Sequence, residues 1–379
     1  MKRRNFLSYL TAGFVTLASL PALAQEPVRI GLDAVLTGPG ANNGERIREA
    51  AQWAVDLVNQ KGGVALPDGS KRPLELVVVD DQAKPDVGLS AIRRLVGDKS
   101  IVAFMGPDWS SVTYPTLFVG AEAGIPQFTS SVAQRITQEG HKHIFRARST
   151  DTDWMGAMAD YLVKQEGKKK IGVTYANNEF GRSGRDVFVK ILKETHGLDP
   201  AVELSYAVGD KDFTSVAGRL IQSGVDVVVN LGNQPEGALL IKDLNNLGYG
   251  GLFAFNSADS IFLDLAKSNA EGVVGPLSWV HTKPDEKSKA FNVEFQKRFN
   301  RDPIGHSVIY FDSVNMIVDA IGKVGPTREA ILKYLKSVDT WQGVQGTYHP
   351  SAPTGDMIHA SVVIRYNKDL VPEVVSVRE

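Results

Sequence analysis

The stretch Ile101-Val102-Ala103-Phe104-Met105-Gly106-Pro107-Asp108-Trp109-Ser110-Ser111 decides the fold. Ile101 to Met105 is an unbroken apolar run, which predicts a short buried strand. Gly106-Pro107 stops it, because proline has no N–H for a ladder and glycine permits a sharp exit. Ser110 or Ser111 can then cap a helix running through Thr113, Leu117 and Ala121 toward Gly124. Such a helix start aims free backbone N–H groups past the end of the strand, where an anion, above all a carboxylate, is stabilised. Open α/β sheets bind ligands along that edge. The stretch therefore predicts half of a ligand cleft.

Upstream, Val28, Ile30 and Leu32 alternate as a strand ending at Asp33, and Thr37 to Gly44 is a turn-rich loop. Ile47, Ala50, Ala51, Ala54, Val55 and Val58 share one helical face, with Gly62-Gly63 beyond it. Leu74 to Val79 predicts a second strand, and Val87, Ala91, Ile92, Leu95 and Val96 a second helix. This β-α-β-α-β order requires a parallel sheet with right-handed crossovers. Downstream the order recurs, with strands at Lys170–Tyr175, Val202–Tyr206 and Val225–Asn230 and helices around Val187–Leu192 and Phe213–Ser223. His143 to Arg148 reads as a strand leading into a helix begun by Thr150-Asp151-Thr152-Asp153, and there we expect the first crossing between two lobes. The expected division is 25–148 with 281–340 as lobe 1 and 149–280 with 341–379 as lobe 2. Three crossing strands would form a hinge for rigid-body closure. The fold class is α/β, with two doubly wound parallel-sheet lobes.

Residues 1–24 read as an export signal: Lys2, Arg3 and Arg4, an apolar run from Phe6 to Leu20, and the Ala22-Leu23-Ala24 cleavage pattern. The run is short for a membrane anchor. Arg3-Arg4-Asn5-Phe6-Leu7 fits a twin-arginine signal, and a general secretory signal has the same layout. A mature chain from Gln25 has 39 basic and 43 acidic residues, a balance that points to neither nucleic acid nor a membrane surface. The sequence has no cysteine, which excludes disulfides and thiolate metal sites. Stability must come from the core, and the length predicts two domains.

Several motifs then fall in a familiar order: Thr37-Gly38-Pro39, Asn59-Gln60-Lys61-Gly62-Gly63-Val64, Leu76 to Asp81, the Ser110-Ser111 helix start, Gly124-Ile125-Pro126, Glu179-Phe180-Gly181, Lys211-Asp212-Phe213 and Gly343 to Gly355. In this order and spacing the chain resembles the type I periplasmic binding proteins, the leucine/isoleucine/valine-binding group with its amide- and urea-binding relatives. The resemblance implies a periplasmic, monomeric receptor that delivers a small solute to inner-membrane ABC permease subunits, without a cofactor. It also implies that the ligand carboxylate rests on Ser110-Ser111, that Thr129-Ser130-Ser131 adds hydrogen bonds, and that Phe180 packs on the ligand. The acidic residue that holds an ammonium in the family falls near Ser257, with Asp259 two residues on. Tyr310 matches a family pocket aromatic. Asn43 and Asn233 stand where tyrosine is common, and Ala133 where threonine is, so this pocket is poorer in aromatics and richer in amides.

Read as residues alone, Ser110 and Ser111 are also ordinary cap residues, Asp259 is an equally good N-cap for Ser260 to Leu263, and Tyr310 suits a core. Asp108 and Trp109 belong to the pocket floor or wall. An aspartate beside a carboxylate site would repel the ligand, so Asp108 faces an ammonium or the opposite lobe. His141-Lys142-His143 lacks a third metal ligand nearby, Gly181-Arg182-Ser183-Gly184 fails the nucleophile-elbow spacing, and Gly38-Pro39-Gly40 lacks the rest of a phosphate loop. The expected function is capture of a small amino acid of the branched-chain type. The alternatives are an aromatic or aliphatic carboxylate, amide or urea on the same fold, or a sensory module for a membrane kinase.

Overall fold

The computed structural model describes residues 26–351, 353–358 and 360–378; the expected signal segment and its cleavage site lie outside them. In chain order the first unit comprises β1 (Val28–Ala34), α1 (Ala41–Gln60), a ribbon of β2 (Val64–Ala65) and β3 (Lys71–Arg72), β4 (Leu74–Asp80), α2 (Pro85–Gly97), β5 (Ile101–Met105), α3 (Ser110–Glu122), β6 (Gln127–Thr129), α4 (Arg135–Gln138) and β7 (Ile144–Arg146). Its strands form a parallel sheet in the order β4-β1-β5-β6-β7. Every residue of β5 is buried, as its unbroken apolar run demands.

The second unit begins with α5 (Asp151–Asp160), whose Thr150–Asp153 capping box fixes its start, and continues into a π-helical turn, Tyr161–Gln165. There follow β8 (Ile171–Ala176), α6 (Glu179–His196), β9 (Val202–Tyr206), α7 (Thr214–Gln222), β10 (Val227–Leu231), α8 (Gln234–Asn246), β11 (Leu252–Phe255), α9 (Ser260–Ala266) and β12 (Val274–Leu277). The chain returns to the first unit through α10 (Glu286–Phe299), α11 (Gly305–Val324) and α12 (Arg328–Leu335). A small antiparallel sheet of β13 (Trp341–Gln342), β14 (Thr347–Pro350) and β15 (Met357–Ile358) precedes β16 (Ser361–Tyr366) and β17 (Pro372–Arg378). The second sheet has the order β17-β16-β12-β11-β10-β8-β9 and is parallel except for its last two strands, which pair antiparallel.

Burial decides which unit each late segment joins. Ile309, Val314, Ile317, Ile331 and Leu335 pack with Ile30, Leu32 and Ile47 in the first core, and Phe291 and Phe295 of α10 pack on Trp53 of α1. Each such fully buried apolar side chain contributes about 1.5–3 kcal/mol. Tyr348 and Met357 belong to the same first core. The segment from Trp341 therefore stays with the first unit, and the third crossing falls between Ile358 and Ser361 instead of near Trp341. Val362, Ile364 and Tyr366 then bury on the second sheet.

Several local expectations change. The predicted strand from His143 to Arg148 contracts to Ile144–Arg146. Helix α1 starts at Ala41, so Asn43 and Gly44 sit in its first turn, outside the expected loop. There a Cβ on Gly44 would stand 1.9 Å from the Val35 carbonyl oxygen, so only glycine lets the helix lie this close to the strand end. Gly181, in the first turn of α6, meets the Ala176 carbonyl oxygen in the same way at 2.1 Å. Neither Ser110 nor Ser111 caps α3: the N-cap is Trp109 and makes no side-chain cap bond. The Ser110 hydroxyl instead accepts from the Ala133 N–H at 3.4 Å, tying the helix start to the loop after β6.

Candidate functional site

The C-terminal edges of the two sheets face each other across a cavity lined by residues of both units, the place where α/β sheets bind small molecules. Four helices, α3, α6, α8 and α11, begin at its wall. As the first two residues of α3, Ser110 and Ser111 have N–H groups that no carbonyl of their own helix can accept. Helix starts of this kind carry partial positive charge, so the cavity favours a negative group.

On the first-unit side stand Asn43, Asp108, Trp109, Ser110, Ser111, Ser130 and Ser131. The expected hydrogen-bonding serines after β6 line the cavity, but their hydroxyls are committed within the protein. Ser130 Oγ donates to Asp108 Oδ1, and Ser131 Oγ donates to the Asp108 carbonyl at 2.7 Å. Asp108 Oδ2 accepts from Asn43 Nδ2 at 2.5 Å, and His306 Nε2 lies 3.3 Å from Oδ1. The Asp108 carboxylate is thus held by an amide, a hydroxyl and an imidazole.

Arg148, on the first crossing, was not singled out in the sequence. It is 4% exposed and lines the cavity. Its Nη1 donates to the Ser130 carbonyl at 3.1 Å and lies 3.1 Å from His306 Nε2. The guanidinium lies 3.7 Å above the ring of Trp154, at stacking distance. Burial pulls the Arg148 pKa down to about 9, against the opposing charges of Asp108 and Asp151, so it stays a cation at neutral pH. Burial likewise lowers the His306 pKa, which keeps the ring neutral there.

The second unit contributes Asn178, Phe180, Asn233, Gln234 and Ser257. Asn178 caps α6 by accepting from the Gly181 N–H at 2.9 Å, whereas Asn233 precedes α8 with no side-chain cap bond. Ser257 Oγ donates to the Gly232 carbonyl at 2.9 Å. Several bonds join the rims of the two units, among them Gln134 Nε2 to Thr152 at 2.6 Å and Arg135 to Glu179 at 3.6 Å. Arg46 reaches Ser260 at 3.3 Å and Asp264 at 3.4 Å, and the Gln134 N–H donates to Ser183 at 3.2 Å.

All the sequence-derived site residues line this cavity except two. Tyr310, 1% exposed, lies behind Ser130 within α11 and in the first core, its hydroxyl 3.3 Å from Ser130 Oγ. Asp259 caps α9, its Oδ1 accepting from Ile261 N–H and Phe262 N–H, while its Oδ2 accepts from Gln234 at 3.0 Å. It faces an adjoining hollow that shares Arg148, Trp154, Gln234, Ser257 and His306 with the main cavity. Asp259 therefore stands one layer back from where the ammonium partner was expected. Sequence reasoning missed Val132, Arg148, Trp154, Asn178, Gln234 and His306. The available signal was Arg148 itself, a second arginine in the run Phe145-Arg146-Ala147-Arg148 that reads as buried strand.

Two sheets that present helix starts to a shared interdomain cavity define a solute-binding architecture. The sequence profile of the periplasmic binding protein family matches residues 27–370, and the chain belongs to that family. Among known relatives, the Leu/Ile/Val-binding protein BraC3 of Rhizobium johnstonii is 35% identical over 242 residues, which span 64% of each chain. A leucine-, isoleucine-, valine-, threonine- and alanine-binding protein of Pseudomonas aeruginosa is 28% identical over 326 residues, covering 85% of this chain and 84% of the relative. Among solved structures, the branched-chain amino acid transporter substrate binding protein LivJ of Streptococcus pneumoniae, in complex with isoleucine, superposes with a TM-score of 0.83 at 19% identity. That match covers 93% of this chain and 99% of the other, and shows the shared fold.

Proposed function

We propose that this chain is the solute receptor of an ABC importer and that its solute is a small acid of the branched-chain amino-acid class. The observation that carries this reading is the interdomain cavity with the uncapped α3 N-terminus in its wall, which suits a carboxylate beside the aromatic faces of Trp109 and Phe180. The names of the relatives supply the size class of the solute. Residues 26–148 with 281–358 form one lobe and 149–280 with 361–378 the other. Solute bridging the two stabilises the closed form by its differential affinity, and inner-membrane permease subunits read that form. The chain acts as a periplasmic monomer after removal of residues 1–24.

Catalysis is no part of this proposal. Asp108, His306 and Ser130 are neighbours, but the Ser130 hydroxyl donates to the carboxylate and not to the imidazole, so nothing activates it as a nucleophile.

The test is a thermal-shift panel on unfolded, ligand-stripped and refolded protein, with leucine, isoleucine, valine and their amine-free counterparts. A solute at about 100 times its dissociation constant stabilises by about 2.7 kcal/mol, a shift of a few degrees. A panel in which no compound moves the midpoint overturns the reading.

A further inference from the structure

The receptor reading leaves open what stands on the solute's α-carbon, and the polar atoms of the cavity wall bear on that. An α-ammonium brings three N–H donors and needs acceptors, ideally a carboxylate. Neither carboxylate near the cavity is uncommitted. Asp108 is engaged by Asn43, Ser130 and His306. Asp259 is engaged by two backbone N–H groups of α9 and by Gln234.

Among the residues that line the cavity, the buried side-chain atoms without a protein partner are mostly donors: Arg148 Nε, Trp154 Nε1 and Asn233 Nδ2. One acceptor, Asn43 Oδ1, stands with them, and that amide is oriented by its donation to Asp108. To these donors the α3 start adds the Ser110 and Ser111 N–H groups. A buried donor facing a ligand donor loses both hydrogen bonds, which is among the strongest sources of discrimination in binding. A carboxylate with a neighbouring oxygen supplies acceptors to this set. If that oxygen is a hydroxyl, it also supplies one O–H for Asn43 Oδ1.

We infer that the solute is an amine-free 2-oxo or 2-hydroxy carboxylate with a branched aliphatic body, its carboxylate on the α3 start and its 2-oxygen within the donor group of Arg148, Trp154 and Asn233. This assignment rests on the receptor reading and refines its ligand. Arg148 is then the residue that sets specificity. Its planar guanidinium offers donors to an oxygen, and its charge opposes an ammonium at the same place. The stack on Trp154 and the bond to the Ser130 carbonyl hold that guanidinium in position before solute arrives.

The test is titration calorimetry of the refolded, ligand-stripped chain with four near-isosteric compounds: leucine, 4-methyl-2-oxopentanoate, 2-hydroxy-4-methylpentanoate and 4-methylpentanoate. The expected result is that the 2-oxo or the 2-hydroxy acid binds at least about tenfold tighter than both leucine and the plain acid. In Arg148→Lys, which keeps the charge and loses the planar fork, the margin over the plain acid should shrink. The wild-type comparison stands without the variant, should Arg148→Lys fail to fold. Leucine binding tighter than both oxygenated acids overturns the inference and leaves the receptor reading intact. The plain acid binding as tightly as its oxygenated counterparts overturns the role of the 2-oxygen. Failure of all four compounds overturns the inference and counts against the receptor reading as well.

Discussion

The two walls of the cleft are built on the same plan and finished with different chemistry. Along the first sheet the strand ends carry carboxylates: Asp33 on β1, Asp80 and Asp81 at the end of β4, and Asp108 after β5. Along the second sheet the corresponding positions carry amides, with Asn230 in β10, Asn256 after β11, and Asn178 and Asn233 at the helix starts. On this side Asp259 caps a helix. The first wall holds the Asp108 carboxylate in place through Asn43 and Ser130 before any solute arrives. The second wall offers neutral donors, which cost less to desolvate when the lobes close on a ligand. On the proposed receptor reading, the difference is a division of labour: charge would position the solute on one lobe, and uncharged amides would keep closure reversible.

This contrast can be broken by mutation. Asp108→Asn removes one of the two counter-charges of Arg148, leaving Asp151, and disturbs the bonds of Asn43 and Ser130 to the carboxylate, so the ligand-free chain should lose about 1–3 kcal/mol in urea unfolding. Asn233→Ala should change that stability by less than about 1 kcal/mol, because the side chain makes no cap bond, yet weaken solute binding. If Asn233→Ala proves the more destabilising of the two, the contrast between the walls is wrong.

A second experiment sharpens the electrostatic side. Burial, reinforced by Asp108 and Asp80, raises the Asp81 pKa to about 6, and burial with Asp81 and Asp80 as neighbours raises that of Asp33 well above the usual range. A raised carboxyl binds more protons in the folded chain than in the unfolded one. Its contribution is complete below the unfolded pKa, near 3.8, and is lost as pH rises through the folded value, near 6. The stability of the wild type should therefore carry a component from Asp81 that falls by about 2–3 kcal/mol between pH 4 and pH 7. In Asp81→Asn, urea midpoints across that range should fall less steeply than in the wild type. An unchanged slope would mean that Asp81 does not titrate in this window.

The smallest effect lies at the rim. Arg46 joins α1 to Asp264 at 3.4 Å, but the Asp264 side chain is 60% exposed and solvent screens the pair. Arg46→Ala should speed solute release in stopped-flow by only about 2–5-fold, the kinetic counterpart of less than about 1 kcal/mol. A change of a hundredfold would make this contact the main closure latch and move the weight of the comparison from the walls to the rim.

Much of this architecture is legible in the sequence because it is enforced by local pattern. The all-apolar β5, the apolar face of α1 and the Thr150–Asp153 capping box each admit one reading. The walls were legible for the same reason, since in parallel α/β units the loops after the strands must meet at one edge. What escaped depends on contacts between distant segments. The Ser110 hydroxyl abandons its cap for Ala133 N–H, a choice made by a loop more than twenty residues away. Arg148 and His306 are 158 residues apart and become neighbours only when α11 returns to the first unit. For Tyr310 and Asp259 the sequence offered a family pocket position beside a core place and a helix cap, and packing behind Ser130 and capping of α9 select the latter two. The third crossing was misplaced because the segment after Trp341, rich in glycine and proline, gives little sign that Tyr348 and Met357 return to the first core.

The late position of that crossing has a consequence for how the molecule comes into being. Strand β12 pairs on one side with β11 and on the other with β16, yet nearly the whole late part of the other lobe, from α10 to β15, is made between them. During synthesis the second sheet waits with Val274–Leu277 as an open edge, and the first core waits for α11 and α12. Neither half is a single continuous stretch of chain. The first core is complete only when β15 has emerged, and the second sheet only after β16 and β17, which leaves a long interval in which a holding chaperone or an export machine can engage the nascent chain.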